Sequence, residues 1–179
     1  MSDEVFKFCP RCATPLVDLE IADDGGAQIR HACPNQLPTP CGFVQWRNPV
    51  PAIAAIVEYN GDILLARNAA WPEGKFALIT GFLERNEEPT AGVKREVKEE
   101  LNLDVQQITL VANYIYDLKN EVMLCYHVVA TGDIKLSPEL IDYKLVKPEK
   151  LRPWPRSTGF ALADWMRSKG LKVDFLERP

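Results

Sequence analysis

Apolar residues crowd the segment "RNPVPAIAAIVEYNGDILLARN" and give way once, at Asn60-Gly61. That pair supplies the positive φ values of a tight type I′ turn, so the segment predicts a β-hairpin. "GKFALITGF" predicts a further strand ending at Gly81. In "EEPTAGVKREVKEELN" the period changes: Val93, Val97 and Leu101 recur every four residues, the stripe of an amphipathic helix. Pro89 suits its first turn, and Asn102 stands where a helix ends in the left-handed conformation. "VQQITLVANYIYD" and "EVMLCYHVVATG" follow as two strands joined by a polar turn at "LKN". "ELIDYKLVKPEKL" reads as a strand and a return loop. "STGFALADWMRSKG" reads as a closing helix, capped by Ser157 or Thr158 and ended by Gly170. Strands outnumber the helices that interrupt them, which predicts an α/β sandwich with helices on both faces of a mixed sheet.

Composition adds limits. The 179 residues suffice for one ordinary domain plus a small appendage. A hydrophobic content of 46% with 26% charged residues is ordinary for a globular chain with a core. The net charge of −4 shows no overall pull toward nucleic acid, although a local patch stays open. No run of about eighteen apolar residues occurs, so a membrane span is not expected. "MSDEVFKFCPRC" is acidic and has no apolar core of a secretory signal. The expectation is a cytoplasmic protein, whose thiols stay reduced.

In that compartment four early cysteines take on meaning. Cys9 and Cys12 form "CPRC", and Cys33 and Cys41 lie in "CPNQLPTPCG". Two residues between the first pair let both sulfurs turn toward one point, as tetrahedral Zn²⁺ requires of its ligands. The second pair is spaced more widely and would complete the set across a short hairpin containing "AQIRHAC". His31 is the reserve ligand; a disulfide or unlinked core thiols are the alternative. A closed four-ligand site leaves no open position, so this zinc would be structural. Residues 1–47 are too few to hold together by burial alone, and a metal would supply the missing stabilisation. Cys125, in an apolar strand, reads as a small core hydrophobe.

The helix carries a second cluster. At ~100° per residue, Glu96, Glu99 and Glu100 project from one sector, and that sector borders the stripe of Val93, Val97 and Leu101. Lys94 and Lys98 take the far side, and Gly92 leaves room on the acidic side for something to approach the backbone. A solvated charged face explains neither the position beside the stripe nor like charges at i, i+4. A divalent cation explains both, because Mg²⁺ takes hard oxygen ligands and shares them with phosphates.

The spacing extends beyond the helix. Gly81, five residues, Glu87, seven residues, then Arg95-Glu96-Val97-Lys98-Glu99-Glu100-Leu101-Asn102-Leu103 resembles the Nudix box, G-x5-E-x7-R-E-U-x-E-E-x-G-U, with U a bulky aliphatic. One defined position differs: Asn102 stands for the last glycine, and Asn tolerates the same backbone conformation. The resemblance implies a Nudix-like α/β/α sandwich over residues 48–179, preceded by a zinc-ribbon-like β module over 1–47. It implies hydrolysis of a nucleoside diphosphate linked to another moiety, with Mg²⁺ or Mn²⁺. Glu96, Glu99 and Glu100 would then be metal ligands or lie near them, with the Gly81 carbonyl a further ligand. Arg95 would pair with Glu87 to hold helix and loop. A box glutamate or a downstream acid would take the proton of the attacking water.

The order of the two modules resembles the NADH pyrophosphatase group. That resemblance places Glu139 where the group has another catalytic or metal-linked carboxylate; a solvated loop acid beside Pro138 is the alternative. The group's S-Q-P-W-P-F-P-x-S array is absent after the box, and "RPWPRS" at 152–157 only echoes it. Trp154 there would pack the C-terminal helix or stack on a base. NADH, FAD and ADP-ribose therefore all stay open as substrates, as does a nicotinamide-type cap on RNA. Plant-type FAD pyrophosphatases also pair these modules. The resemblance further implies a homodimer. The rival reading is a non-catalytic nucleotide sensor or nucleic-acid-binding regulator built from the same two modules.

Overall fold

The computed structural model describes residues 6–23, 25–36 and 40–177. The chain divides into two compact units, residues 1–48 and 49–179. The first holds a three-stranded antiparallel sheet in the order β1 (Val17–Asp23), β2 (Gly26–Ala32), β3 (Val44–Gln45). Its buried apolar cluster is small: Cys9, Leu16 and Cys33, with Cys41 and Phe43 packed against them.

The second unit is built on β4 (Val50–Tyr59). Asn60 (φ 53°) and Gly61 (φ 84°) turn the chain back into β5 (Asp62–Asn68), antiparallel to β4 as the Asn-Gly pair predicts. Then come β6 (Ile79–Phe82), α1 (Pro89–Leu101), β7 (Asp104–Tyr116), β8 (Glu121–Thr131), β9 (Leu140–Val146) and α2 (Thr158–Ser168). The sheet order is β7-β8-β4-β5-β9. β8 lies parallel to β4 along its whole length, whereas β6 and β5 follow one another antiparallel along its other edge. The sheet is mixed, and it carries a helix on each face.

Alternation along β4 decides which helix packs where. Ile53, Ala55 and Val57 pack with Val93, Val97 and Leu101 of α1. Ile56 packs with Leu162, Trp165 and Met166 of α2, and Ala52 and Ala54 with Ala161. The three apolar residues of α1 are fully buried, which stabilises the helix by roughly 5–9 kcal/mol as an upper bound. That packing is what holds α1, since Glu88 at its N-cap makes no side-chain bond. Pro89 opens it, and Asn102 closes it in the left-handed region at φ 59°, where the sequence placed the stop.

The capping expected at α2 does not form. Ser157 occupies the N-cap, but at φ 38° its buried Oγ has no hydrogen-bond partner. The turn is set by crowding instead: a Cβ on Gly159 would overlap the Trp154 carbonyl. Trp154 packs on the α2 core as expected. At the other end Gly170 (φ 71°) donates to Arg167 O and Leu171 to Met166 O, a complete Schellman closure. Cys125 is fully buried, and burial pushes its thiol up to about 12. Among the described residues no helix is long and apolar enough to cross a membrane.

Candidate active site and cysteine cluster

β6 and α1 bring the two halves of the box motif together. Gly81 lies opposite Ile53 in the β4–β6 pairing, and Glu96 rises from α1 directly over it. A Cβ on Gly81 would occupy the space of the Glu96 carboxylate. Glycine at this position leaves Glu96 its present place by close approach rather than by φ; a larger residue would push that side chain aside. Gly92 acts likewise at the start of α1, where a Cβ would meet Leu83 and the Glu87 carboxylate. The room left beside Gly92 is thus filled by the chain itself.

Arg95 organises the acids. Its Nε and Nη2 donate to the two oxygens of Glu87 at 2.8 and 2.9 Å, a bidentate pair, and Nη2 also reaches Phe82 O at 3.0 Å. Its Nη1 donates to Glu96 Oε1 at 2.7 Å and to Glu99 Oε2 at 3.1 Å. The sequence anticipated the Glu87 contact alone; Arg95 projects from α1 toward the box loop, so it reaches Phe82 O there and Glu96 and Glu99 along its own helix. Glu87 also accepts from the Glu84 N–H at 3.0 Å. The guanidinium and that N–H hold the Glu87 carboxyl down at about 2.

Glu100 has no such cation. Burial, then the charges of Glu96, Glu139 and Glu99, push its carboxyl up to about 7. Burial raises that of Glu96 too, against the opposing Arg95. Glu139 joins this group from the loop before β9. The loop is pinned to the end of α1 by Lys135 N–H to Leu101 O and Ser137 N–H to Glu100 O, both 3.0 Å, while the Glu139 carbonyl accepts from Ala69 at 2.8 Å. Glu96, Glu99, Glu100, Ser137, Pro138 and Glu139 line a cleft of about 270 Å³. Lys94 and Lys98 lie on the exposed side of the helix. Ser137 went unnoticed in the sequence and Pro138 entered only as a neighbour of Glu139, since nothing there marks a loop folding back onto a helix thirty-odd residues earlier. Hard carboxylate oxygens, a glycine cradle and an open cleft fit a divalent ion. A larger cavity lies on the α2 face, away from these acids.

In the first unit the Sγ atoms of Cys9, Cys12, Cys33 and Cys41 all lie within 4.8 Å of one another. Cys9 and Cys41 approach to 3.6 Å and Cys12 and Cys33 to 3.5 Å. The Arg11 N–H points at Cys9 Sγ at 3.4 Å, the knuckle contact that the CPRC spacing creates. Thr14 holds the Cys12 thiol down at about 6, whereas burial pushes Cys41 up to about 12. His31 stands outside the cluster, its Nδ1 paired with Asp18 at 3.0 Å. Four sulfurs converging at this range match tetrahedral zinc.

The comparisons with known proteins agree with this geometry. The NUDIX domain family model matches residues 47–166. The NAD-capped RNA hydrolase NudC of Pseudomonas putida is 26% identical over 157 residues, covering 87% of this chain and 53% of its own length. The enzyme of the same name from Mycobacterium tuberculosis is 33% identical over 88 residues, 49% of this chain and 28% of its own. The chain thus spans about half or less of these relatives. Among solved structures, a NUDIX hydrolase from Nitrosomonas europaea superposes with a TM-score of 0.73 at 24% identity, covering 97% of this chain and all of that one. An ADP-ribose pyrophosphatase from Streptococcus suis gives 0.56 at 20% identity, covering 72% of this chain and all of its own. The α/β/α fold, the box spacing and the family match over two thirds of its length lead to one conclusion: this chain belongs to the Nudix family.

Proposed function

We propose that the protein is a pyrophosphohydrolase that cleaves the diphosphate linkage of an NAD-related nucleoside diphosphate derivative, using Mg²⁺ or Mn²⁺. The observation that carries this is the cleft in which Glu96, Glu99, Glu100 and Glu139 meet. Glu96, Glu99 and Glu100 would hold the ion, with the Gly81 carbonyl beside them. When bound, the ion supplies Lewis acidity to the diphosphate oxygens and to the attacking water. The protein's own groups do the rest. Arg95 and Glu87 fix the box loop against α1, so the carboxylates keep their places when charge enters the cleft. A cleft carboxylate would take the proton from the water, and we assign this to Glu139, on the facing loop and outside the set that would hold the ion. A sensor would not need that extra carboxylate, which favours the catalytic reading.

The substrate class follows from relatives named for NAD-capped RNA. The four cysteines would hold one structural Zn²⁺. The deciding experiment is a screen of NADH, NAD, FAD, ADP-ribose and NAD-capped RNA with Mg²⁺ and with Mn²⁺, following mononucleotide release. Release from at least one of them, lost in Glu96→Gln and Glu100→Gln variants that keep the wild-type fold, is the expected result. Full activity in both variants would overturn the assignment.

A further inference from the structure

The α2 face carries a cavity of about 330 Å³ that the acid cleft does not use. Thr109 and Val111 of β7, His127 of β8, Trp165 of α2 and Lys169 just beyond it form its walls. β7 is irregular between Leu110 and Ala112, and the extra residue there is Val111. A bulge re-aims side chains and is often found beside sites.

Polar groups around this cavity keep unused bonding capacity. His127 Nε2 lies 2.8 Å from Glu58 Oε2. Burial, opposed by Glu58, pulls the His127 pKa below its ordinary value. The neutral ring donates its Nε2–H to the Glu58 carboxylate, which leaves Nδ1 as an acceptor. Among the described residues Nδ1 makes no hydrogen bond and Lys169 makes no ion pair. Trp165 is 4% exposed and contributes its ring, not its buried Nε1, to the cavity wall. Asp164, by contrast, is held at 2.6 Å by both Tyr114 and Arg167, which stiffens the rim. The His127 and Trp165 rings stand 5.2 Å apart, tilted by 34°, and give the cavity flat walls. An acceptor and a cationic donor beside flat aromatic walls are the complement of a planar ring bearing an N–H beside a carbonyl. The volume suits one such ring with a sugar and is too small for a whole dinucleotide.

We propose that this cavity is a binding site for a planar heteroaromatic amide, such as a nucleobase or nicotinamide, separate from the acid cleft. The ligand N–H donates to His127 Nδ1, and its carbonyl accepts from Lys169 Nζ. The proposal does not depend on the hydrolytic reading. Saturation-transfer NMR on the full chain in metal-free buffer, with uridine, adenosine and nicotinamide as probes, tests it. At least one probe binds, Lys169→Ala and His127→Gln weaken it roughly fivefold or more, and Glu100→Gln leaves it unchanged. If His127→Gln does not fold, Thr109→Val takes its place beside Lys169→Ala. No transfer from any probe up to about 10 mM, binding within about twofold of wild type in both cavity variants, or binding abolished by Glu100→Gln would each overturn it.

Discussion

At the scale of single residues, the acid cluster is a balance between one arginine and four carboxylates. Arg95 bonds to Glu87, Glu96 and Glu99 with its single positive charge, and among the described residues Glu100 has no cation of its own. Removing the Glu100 charge is therefore expected to lower hydrolysis by about a hundredfold or more while raising the melting temperature of the metal-free protein, because repulsion is relieved. Calorimetry beside a rate assay checks both signs. Gly81→Ala is expected to displace Glu96 and cut activity at least tenfold. A crystal structure of the variant showing Glu96 unmoved would contradict the close-packing argument. His127 gives the pH prediction. Its folded pKa is depressed, so the neutral ring contributes stability in full above the ordinary value of about 6.5, and that contribution is lost as pH falls through the depressed value. Unfolding midpoints across pH 5–8 should fall toward acid in the wild type and less so in His127→Gln. The box glutamates were legible because their spacing and their place beside the apolar stripe both required a reason. The further contacts of Arg95 to Glu96, Glu99 and Phe82 O were not, because one guanidinium can turn toward several acceptors and spacing does not say which it takes.

At the scale of elements, apolar patterning and turn signals located both helices and the strands of the second unit, although β6 begins only at Ile79, five residues into the stretch expected to form it. Asn60-Gly61, Asn102 and Gly170 marked their turns and ends, since each supplies a positive φ. Ser157 misled, because a residue chosen by type alone says nothing of the backbone pressed between Trp154 and Gly159. Gly170→Ala is expected to cost about 1 kcal/mol or more, with the loss appearing in urea unfolding midpoints and not in turnover. Asn102→Gly, which restores the glycine of the motif, should be neutral or slightly stabilising by the same measure, provided the Asn102 side-chain bond to Asp133 O contributes little. A large destabilisation would show that this bond, and not the backbone conformation, holds the end of α1.

At the scale of the molecule, the two units rest on different physics. Among the described residues, 49–179 bury three apolar clusters, whereas the first unit has a cluster of three buried residues, two of them cysteines. Zinc removal by a strong chelator is expected to melt the first unit while the second keeps its transition, with about one zinc per chain released. A single unchanged transition would leave the cysteine cluster without a structural role. The sequence suggested this asymmetry through cysteine spacing, but the sheet order and the loop that delivers Glu139 depend on contacts between segments far apart in the chain. β4 ties these matters together. Because its odd positions serve one helix and Ile53 lies opposite Gly81, the strand works as a ruler for the chemistry. Sliding β6 by one notch along it would turn Gly81 over and present a bulky neighbour to Glu96. A fault confined to that pairing would then cost turnover while both helices kept their seats on the sheet.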